Sequence, residues 1–444
     1  MVGMILFIVG LIIGVAIFAY SLFLSIKFVK EKPIGSTEIL INKDLLTKLM
    51  ISIGSIGLAT ILSSYGAVLW GNWPLSAIEH ICVIFGSYLF GSGFGMLTNS
   101  FILYYYKPQL NEKQRNLVHT LMFISIGVTI VFFLIMTEGF ASHLSYPLYN
   151  AIDFGKGLTT YKDSSSGFRI AFYGICVVGG AIVVYVICDH YFYKKYGKHG
   201  IIDTLFLWCF PMGLVGARLW YCLVLRGDYY FANPEKIIQV WDGGLAIQGG
   251  AMLGIIAGVS FVLIFRKYVD IRWAIDAIVP TILIAQAIGR WGNFFNCEVF
   301  GEPTLISNWW FIPSFIKGQM QFSSVSVTNV IHEGEMYTPL FLIESVVNLC
   351  GYFLIRYATK PINKYLPLLS RGGMYILWYG LVRLVMEPMR NGYGSGIGDG
   401  FGQSRITAIA MIAGGALIIG ASYLWGILEA KKQGLDHFKT FDFE

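Results

Sequence analysis

Four arginines lie inside or at the edge of segments that are apolar enough to be buried in lipid: Arg218, Arg290, Arg383 and Arg405. An arginine at the centre of a bilayer costs about 3 kcal/mol on insertion scales. A chain that keeps several such residues is expected to use them to hold an anion. Arg405 stands at a predicted helix start, where its side chain can extend to the headgroup region, so it is interpreted without a binding role.

The most polar of these segments is Arg290-Trp-Gly-Asn293-Phe-Phe-Asn-Cys-Glu298, at the end of an apolar run. On a continuing helix Arg290, Asn293 and Glu298 would share one face, because of their helical spacing. A guanidinium matches a phosphate with two parallel hydrogen bonds. The segment therefore predicts a phosphate site near the depth of lipid headgroups. The alternative is a structural ion pair of Arg290 with Glu298 or Asp276.

Tyr379, Arg383 and Glu387 follow one another at intervals of four residues, so they fall on one side of a predicted helix. Arg383 and Glu387 could form an ordinary ion pair between neighbouring helical turns. Ionisable residues inside a membrane are functional more often than ornamental, which favours a role in the site. Arg390 is expected near the outer surface.

The stretch Trp241-Asp-Gly-Gly-Leu-Ala-Ile-Gln248-Gly-Gly250 opens another apolar segment. Paired glycines allow close approach of backbones and expose N–H groups at a helix start, where an anion is favoured. The alternative is that these small residues only pack helices together. Asp242 and Gln248 interrupt the same stretch, which favours a binding site.

The composition excludes a soluble domain. The 444 residues are 56% apolar and only 13% charged, whereas soluble domains carry about 25% charged residues. The net charge of +6 comes from basic residues dispersed over loops, so a nucleic-acid partner is not expected. The seven cysteines form no CxxC pair, and the histidines show no ligand spacing, so neither a metal site nor a cofactor is predicted.

Apolar runs of roughly 20 residues mark eleven predicted transmembrane helices, and the fold class is an all-α polytopic membrane protein. The predicted spans are 4–28, 49–70, 78–105, 118–137, 168–190, 201–225, 243–265, 273–295, 338–358, 371–389 and 405–428. Most of the 32 Lys and Arg residues fall in alternate loops. The positive-inside rule then places the amino terminus outside and the carboxyl terminus in the cytoplasm.

A polar linker at residues 151–167, with the run Lys162-Asp-Ser-Ser-Ser-Gly167, divides the chain. Residues 1–150 are predicted to be a four-helix membrane region of unknown role. Residues 168–430 form a seven-helix part that holds nearly all the polar irregularities, and 431–444 form a cytoplasmic tail. The four front helices are expected to be dispensable for chemistry.

The seven-helix part resembles the bacterial prolipoprotein diacylglyceryl transferases over about residues 167–430. The resemblance rests on motifs in family-like order: Phe172-Tyr173-Gly174, Gly216-Ala217-Arg218, the Trp241–Gly250 stretch, Gly289–Glu298, Thr338-Pro339 with Glu344-Ser345, and Tyr379–Glu387. The family transfers a diacylglyceryl group from phosphatidylglycerol to the lipobox cysteine of a preprolipoprotein signal peptide and releases glycerol phosphate. It implies a bacterial plasma-membrane enzyme that needs no cofactor.

The resemblance also implies roles for single residues. Residues expected to bind phosphatidylglycerol are Arg290, Asn293, Arg218, Tyr173, Gly301 and Glu387. Residues expected to be catalytic are Arg383, Gln248, Glu298 and Tyr379. This chain departs from the family at Gln248, where the family often has a histidine that is one proposed base. The thiol proton could instead go to Glu298 or Glu387, or to the leaving phosphate, or the arginine field could lower the thiol pKa.

Two other classes of function fit parts of the pattern. A secondary transporter or channel for an organic anion would also use intramembrane arginines and broken helices, but no inverted repeat is visible in the sequence. A non-catalytic lipid-binding membrane scaffold is a third possibility. Lipid transfer to a lipobox peptide would separate all three classes.

Overall fold

The computed structural model is almost entirely helical. It describes residues 2–30, 43–105, 112–141, 143–144, 146–153, 157–160, 162, 169–197, 200–238, 246–265, 268–325, 327, 329–390, 400–435 and 437–441. The helices are α1 Val2–Lys30, α2 Lys43–Gly71, α3 Ala77–Tyr105, α4 Glu112–Ala141, α5 Phe172–Tyr196, α6 Ile201–Trp220, α7 Gly227–Ala232, α8 Ile247–Ile264, α9 Ile271–Ile278, α10 Ile282–Asn296, α11 Ser314–Gln319, α12 Leu340–Phe353, α13 Ser370–Met386 and α14 Gly400–Gln433. The strands are β1 Ala151–Asp153, β2 Gly157–Thr159, β3 Arg169–Ala171, β4 Pro303–Leu305 and β5 Glu335–Tyr337.

Helices dominate because a chain in lipid must satisfy its backbone N–H and C=O groups internally. Within the described ranges, nine helices are long and apolar enough to cross a membrane. The all-α polytopic class is thus confirmed, whereas the predicted number of eleven spans is not. Helix α13 has 17 residues before it tightens into a 3₁₀ turn at Glu387–Met389. The apolar stretch described within α8 is only Met252–Phe261.

The chain divides into two compact units. The front unit comprises Met1–Tyr146 together with Trp309–Gly318, and the rear unit comprises Pro147–Asn308 together with Gln319–Glu444. The front unit therefore contains a short segment from far along the chain as well as the four front helices. The domain boundaries predicted from sequence assign residues 309–318 to the seven-helix part, whereas the structure groups them with the front helices.

In the front unit, small residues let α1 and α2 approach closely. A Cβ on Gly66 would lie 2.3 Å from the backbone nitrogen of Phe7, and a Cβ on Gly3 would lie 2.3 Å from that of Trp70. Lipid gives no hydrophobic drive for helix association, so such close packing matters more there. In the 309–318 segment the backbone N–H of Ser314 donates to Glu138 Oε1 at 3.0 Å.

In the rear unit, α10 packs between α5 and α12, and α6 packs on α8. Gly216 and Gly249 allow the second contact, because a Cβ on either would lie within 2.4 Å of the other's carbonyl oxygen. The packing interpretation of these glycines is therefore supported. Residues 239–245, with Asp242, lie outside the described part of the chain.

Two segments differ from the sequence-based description. Part of the predicted linker forms β1 and β2, which join β3 in an antiparallel sheet of order β2-β1-β3, while residues 163–168 lie outside the described part. The predicted tail folds back on the rear unit as far as it is described. Phe441 is fully buried there and stacks on Trp273 with ring centroids 5.3 Å apart.

Candidate functional site

Arg290 lies on α10 where this helix faces α12. The two helices are joined by the hydroxyl of Ser345, which donates to the Ala287 carbonyl at 2.9 Å. One arm of the Arg290 guanidinium, Nη2, forms a hydrogen-bonded ion pair with Oε1 of Glu344. Glu344 is only 1% exposed, so this pair is shielded from water. Arg290 thus has a different partner from the two carboxylates considered from sequence, Glu298 and Asp276.

Asp276 instead serves a structural purpose. Its carboxylate accepts the backbone N–H of Leu369 at 2.8 Å and that of Gly372 at 2.9 Å. These bonds fix the start of α13, where the first backbone N–H groups have no partner within the helix. Asp276 therefore holds the helix that carries Tyr379 and Arg383.

The other arm of the Arg290 guanidinium makes hydrogen bonds along α10. Its Nη1 donates to Asn293 Oδ1 at 3.4 Å, and Asn293 Nδ2 donates to Glu298 Oε2 at 3.3 Å. The three residues grouped from sequence are thus joined, with Asn293 in the middle. An arginine offers five donors, and these bonds occupy one on each of two nitrogens. The same guanidinium can still receive a phosphate oxygen.

Glu298 reaches Asn293 by a turn and not by continued helix. Helix α10 ends at Asn296, and Cys297 and Val299 have positive φ angles of 52° and 58°. The Glu298 N–H donates back to the Asn293 carbonyl at 2.9 Å. The helical spacing assumed from sequence is therefore wrong at its last residue. Two non-glycine residues in the left-handed region store strain, a feature that often accompanies functional sites.

Burial raises the pKa of the Glu298 carboxyl above its ordinary value, while hydrogen bonds from Asn293 and Asn296 act in the opposite direction. Burial disfavours the charged form, and donors to the carboxylate favour it. A carboxyl with a raised pKa is a better proton acceptor once it is ionised. Glu298 therefore suits a role in proton transfer more than a role as a fixed counter-charge.

Beyond Glu344, the network extends to the end of α13. Arg390 Nη2 lies 3.6 Å from Glu344 Oε2, and Arg390 Nη1 lies 3.8 Å from Glu387 Oε1. Arg383 Nη1 lies 3.0 Å from Glu387 Oε2. Three guanidiniums thus alternate with two carboxylates, in the order Arg290, Glu344, Arg390, Glu387 and Arg383. These five residues are called the network below.

This network is shielded from water over most of its length. The side chains of Glu344, Glu387 and Arg390 are 1%, 5% and 7% exposed. Those at its two ends, Arg290 and Arg383, are 16% and 26% exposed. Charges are costly to bury unless they are paired. The three arginines and two glutamates of the network carry one formal positive charge in excess. The two arginines at its ends are its more accessible charges, so the network is suited to bind an anion there.

Two members of the network were not assigned to the site from sequence. The sequence places Arg390 near the outer surface of the membrane without a role in the site, and its side chain is 7% exposed and pairs with Glu344 and Glu387. Glu344 was noted only as part of a motif. Arg390 follows Glu387 by three residues, a spacing that is typical of side-chain pairs on one helical face and could have indicated their contact. No sequence pattern joins Glu344 to Arg290, which lies on another helix 54 positions earlier.

Two predicted binding residues lie beside this network. Gly301 forms an isolated antiparallel bridge with Arg390 and donates its N–H to the Thr338 carbonyl at 2.8 Å. A Cβ at Gly301 would lie 3.0 Å from the Met389 carbonyl oxygen, so a larger residue would press on the segment that carries Arg390. Tyr173 packs against α10, because a Cβ at Gly292 would lie 2.5 Å from its ring.

Three other predicted residues are placed differently. Arg218 is buried, and its guanidinium donates to the carbonyls of Lys236 at 2.7 Å and Ile237 at 2.9 Å, which ties a loop to α6. Tyr379 stacks on Tyr375 with parallel rings 6.2 Å apart, one turn before Arg383. The side chain of Gln248 lies outside the described part of the chain, so its role stays a prediction.

In the described part of the chain, no cluster of three or more His, Cys, Asp and Glu side chains is suited to hold a metal ion. The side chains of the site themselves offer two kinds of chemistry. Guanidiniums can bind and stabilise an anion, and Glu298 can accept a proton. That combination suits a substitution in which an anionic group departs and a nucleophile loses its proton.

Known proteins similar to this chain have related names. A family model described as prolipoprotein diacylglyceryl transferase matches residues 164–421. A Streptococcus pneumoniae serotype 4 protein named phosphatidylglycerol–prolipoprotein diacylglyceryl transferase is 35% identical over 254 residues, 56% of this chain and 88% of that protein. A Lactococcus lactis subsp. cremoris protein of the same name is 37% identical over 225 residues, 50% of this chain and 78% of that protein. The family match begins after α4 and includes every residue of the network.

Proposed function

The chain belongs to the prolipoprotein diacylglyceryl transferase family, and from this premise we propose that it acts on phosphatidylglycerol and the lipobox cysteine of a preprolipoprotein. The diacylglyceryl group passes to the cysteine sulfur, and glycerol phosphate is released. The observation that carries the proposal is the buried network of Arg290, Glu344, Arg390, Glu387 and Arg383, with one positive charge in excess. A phosphodiester monoanion balances that charge.

Arg290 and Arg383 bind the phosphate in this proposal. They are the two more exposed arginines of the network, and each is held by a carboxylate. Preformed donors of this kind cost no reorganisation when negative charge grows on the leaving group. Asn293 and Glu387 orient the two guanidiniums. Tyr173 and Gly301 shape the walls beside α10 and Arg390.

The chemical step is a displacement at the glyceryl carbon that bears the phosphate ester. The cysteine sulfur forms a bond to this carbon, and the bond between the carbon and the ester oxygen breaks. The electron pair of that bond stays with the oxygen, which leaves as part of glycerol phosphate. The increasing charge on the phosphate strengthens its bonds to Arg290 and Arg383.

Glu298 accepts the thiol proton in this mechanism. A free cysteine has a pKa of about 8.5, so a base must remove the proton for the sulfur to attack at neutral pH. The raised pKa of Glu298 narrows the gap between acceptor and donor. Glu387 is less suited, because it is already paired with Arg383 and Arg390.

The remaining predicted residues have supporting roles in this scheme. Gln248 orients a substrate by hydrogen bonds, since glutamine does not titrate. Tyr379 lies on the same helix as Arg383, one turn before it. Arg218 supports the site through the loop at Lys236 and Ile237, to which it is bound.

The protein is a multi-pass membrane protein, and we propose that it lies in the bacterial plasma membrane with its amino terminus outside and its carboxyl terminus in the cytoplasm. The lipobox cysteine would then meet the arginine network near the outer surface. The four front helices form a separate part of the molecule with no assigned role in the chemistry.

The test is transfer of radiolabelled diacylglycerol from phosphatidylglycerol to a synthetic lipobox peptide by the purified protein in liposomes. A labelled peptide and free glycerol phosphate are expected together. A peptide with serine in place of the lipobox cysteine is the control and should stay unlabelled. Movement of an organic anion into the liposomes without peptide labelling would contradict the proposal and favour a transporter.

A further inference from the structure

The end of α10 is held by a buried side chain from a distant part of the sequence, Gln319. Its carboxamide nitrogen Nε2 lies 3.1 Å from the Phe294 carbonyl oxygen and 3.4 Å from that of Phe295. It also lies 3.1 Å from Cys297 Sγ. The last four carbonyl groups of a helix have no partner within it, so a donor at this place stabilises the last turn.

Gln319 is itself fixed in place. It has no exposed surface, and its Oε1 accepts the backbone N–H of Leu148 at 2.8 Å. Both ends of the carboxamide are therefore used, which is the arrangement that a buried polar group requires. A buried side chain that is hydrogen-bonded at both ends is held in one orientation.

The turn that Gln319 holds is the one that brings Glu298 back to Asn293. Cys297 and Val299 flank Glu298 and both have positive φ. Backbone strain of this kind persists only when the surroundings fix it. The Cys297 carbonyl also accepts the N–H and hydroxyl of Ser324, both at 3.1 Å. Gln319 and Ser324 thus hold the turn from two sides.

We propose that Gln319 is a positioning residue of the transferase site: its carboxamide holds the last turn of α10 so that Glu298 faces Asn293 and Arg290. This inference rests on the proposed function. None of the hydrogen bonds of Gln319 goes to the five residues of the network. It acts by keeping the proton acceptor and the phosphate-binding arginine in one arrangement.

The first test is Gln319→Met in the full-length protein, because methionine keeps the length and volume but has no N–H to donate. Transfer per folded molecule is expected to fall by up to about 100-fold, the loss that a misplacement of about 1 Å can cause. The loss should fall on kcat more than on KM for phosphatidylglycerol. The acid limb of the pH–rate profile should move to higher pH, since Glu298 loses the hydrogen bonds that favour its ionised form.

The matched control is Ser422→Ala, which removes other buried hydrogen bonds of the rear unit. The Ser422 hydroxyl donates to the Ile419 carbonyl at 2.7 Å and lies 3.0 Å from the hydroxyl of Ser370. Its loss should lower the thermal midpoint without moving the pH profile. An equal change in both variants would show that Gln319 has only a structural role.

Gln319→Glu is the second variant and decides the matter if Gln319→Met does not fold. A protonated glutamic acid can still donate its single O–H to the Phe294 or the Phe295 carbonyl, whereas its ionised form cannot donate. Activity relative to the wild type should therefore be near normal at low pH and fall as the introduced carboxyl ionises. A ratio that stays low even at low pH in the folded variant overturns the inference, because the protonated side chain still supplies a donor. Absence of transfer in the wild type would instead contradict the proposed function.

Discussion

Arg290 donates to Glu344 and Asn293, so its guanidinium is oriented by side chains of the protein itself. We expect Arg290→Ala to lower transfer by at least 100-fold, since one preformed donor to a developing charge is typically worth about 3 kcal/mol. Arg290→Lys should also be poor, because an ammonium does not reproduce the forked geometry. The measurement is labelled-lipid transfer by purified protein in liposomes.

The control for this prediction is Arg405→Ala. Arg405 is exposed on α14, and none of the ion pairs of the network includes it. This variant should keep most of the wild-type activity. Near-normal transfer by folded Arg290→Ala would remove Arg290 from the site, whatever the outcome at position 405.

Glu298 should control the acid side of the pH–rate profile. Only its ionised form can accept the thiol proton, so the rate rises with pH through its pKa. Burial raises that pKa, which places the limb above the ordinary carboxyl range. In Glu298→Gln the limb should disappear and the maximal rate should fall. A limb that is unchanged in Glu298→Gln would assign it to another group.

At the scale of elements, the turn after α10 combines strain with function. Val299 is β-branched and has a φ of 58°, a conformation that favours glycine. Val299→Gly should therefore stabilise the folded protein by about 1 kcal/mol. It should also lower transfer, because the turn no longer holds Glu298 in one orientation. Thermal unfolding in detergent and the transfer assay measure the two effects.

Val299→Ala separates backbone strain from the loss of the side chain. Alanine keeps the Cβ and so keeps the unfavourable left-handed backbone, but it lacks the two methyl groups. It should not gain the stability expected for Val299→Gly. If the two variants are equally stable, backbone strain at position 299 is not the cause.

The helices of the fold were predictable because lipid leaves an apolar chain few alternatives. The site was predictable in part, since Arg290 and Asn293 lie on the same helix and Arg383 and Glu387 on another. The partnership of Arg290 with Glu344 was not predictable, because it depends on how α10 packs on α12. The turn at Cys297 was also not predictable, because neither cysteine nor valine usually ends a helix in the left-handed region.

At the scale of the whole molecule, the rear unit is expected to be active without the four front helices. The pneumococcal relative is matched over 88% of its length by 254 residues, which leaves it no room for four more long helices. A chain that begins at Pro147 should retain measurable transfer. This start keeps the bond from Leu148 to Gln319, which a start at residue 150 would remove.

Full-length protein and the shortened chain should be compared in the same liposomes, with size-exclusion profiles to confirm folding. The shortened chain lacks Glu138, which binds Ser314, and Tyr146, which packs on Gly318. Some loss of thermal stability is therefore expected. A folded but wholly inactive shortened chain would show that the front helices contribute to the site.

The alternation of three guanidiniums with two carboxylates has a consequence for turnover. Phosphatidylglycerol carries one negative charge and cancels the single excess positive charge of the network. Glycerol phosphate carries close to two at neutral pH, because the second pKa of a phosphate monoester is about 6. Because Glu298 has taken the thiol proton, the total charge of the site stays the same during transfer, but the charge on the phosphate group approximately doubles. Glu344 and Glu387 then repel the product, which the arginines attract, more than they repelled the lipid. The two carboxylates thus weaken lipid binding and hasten product departure.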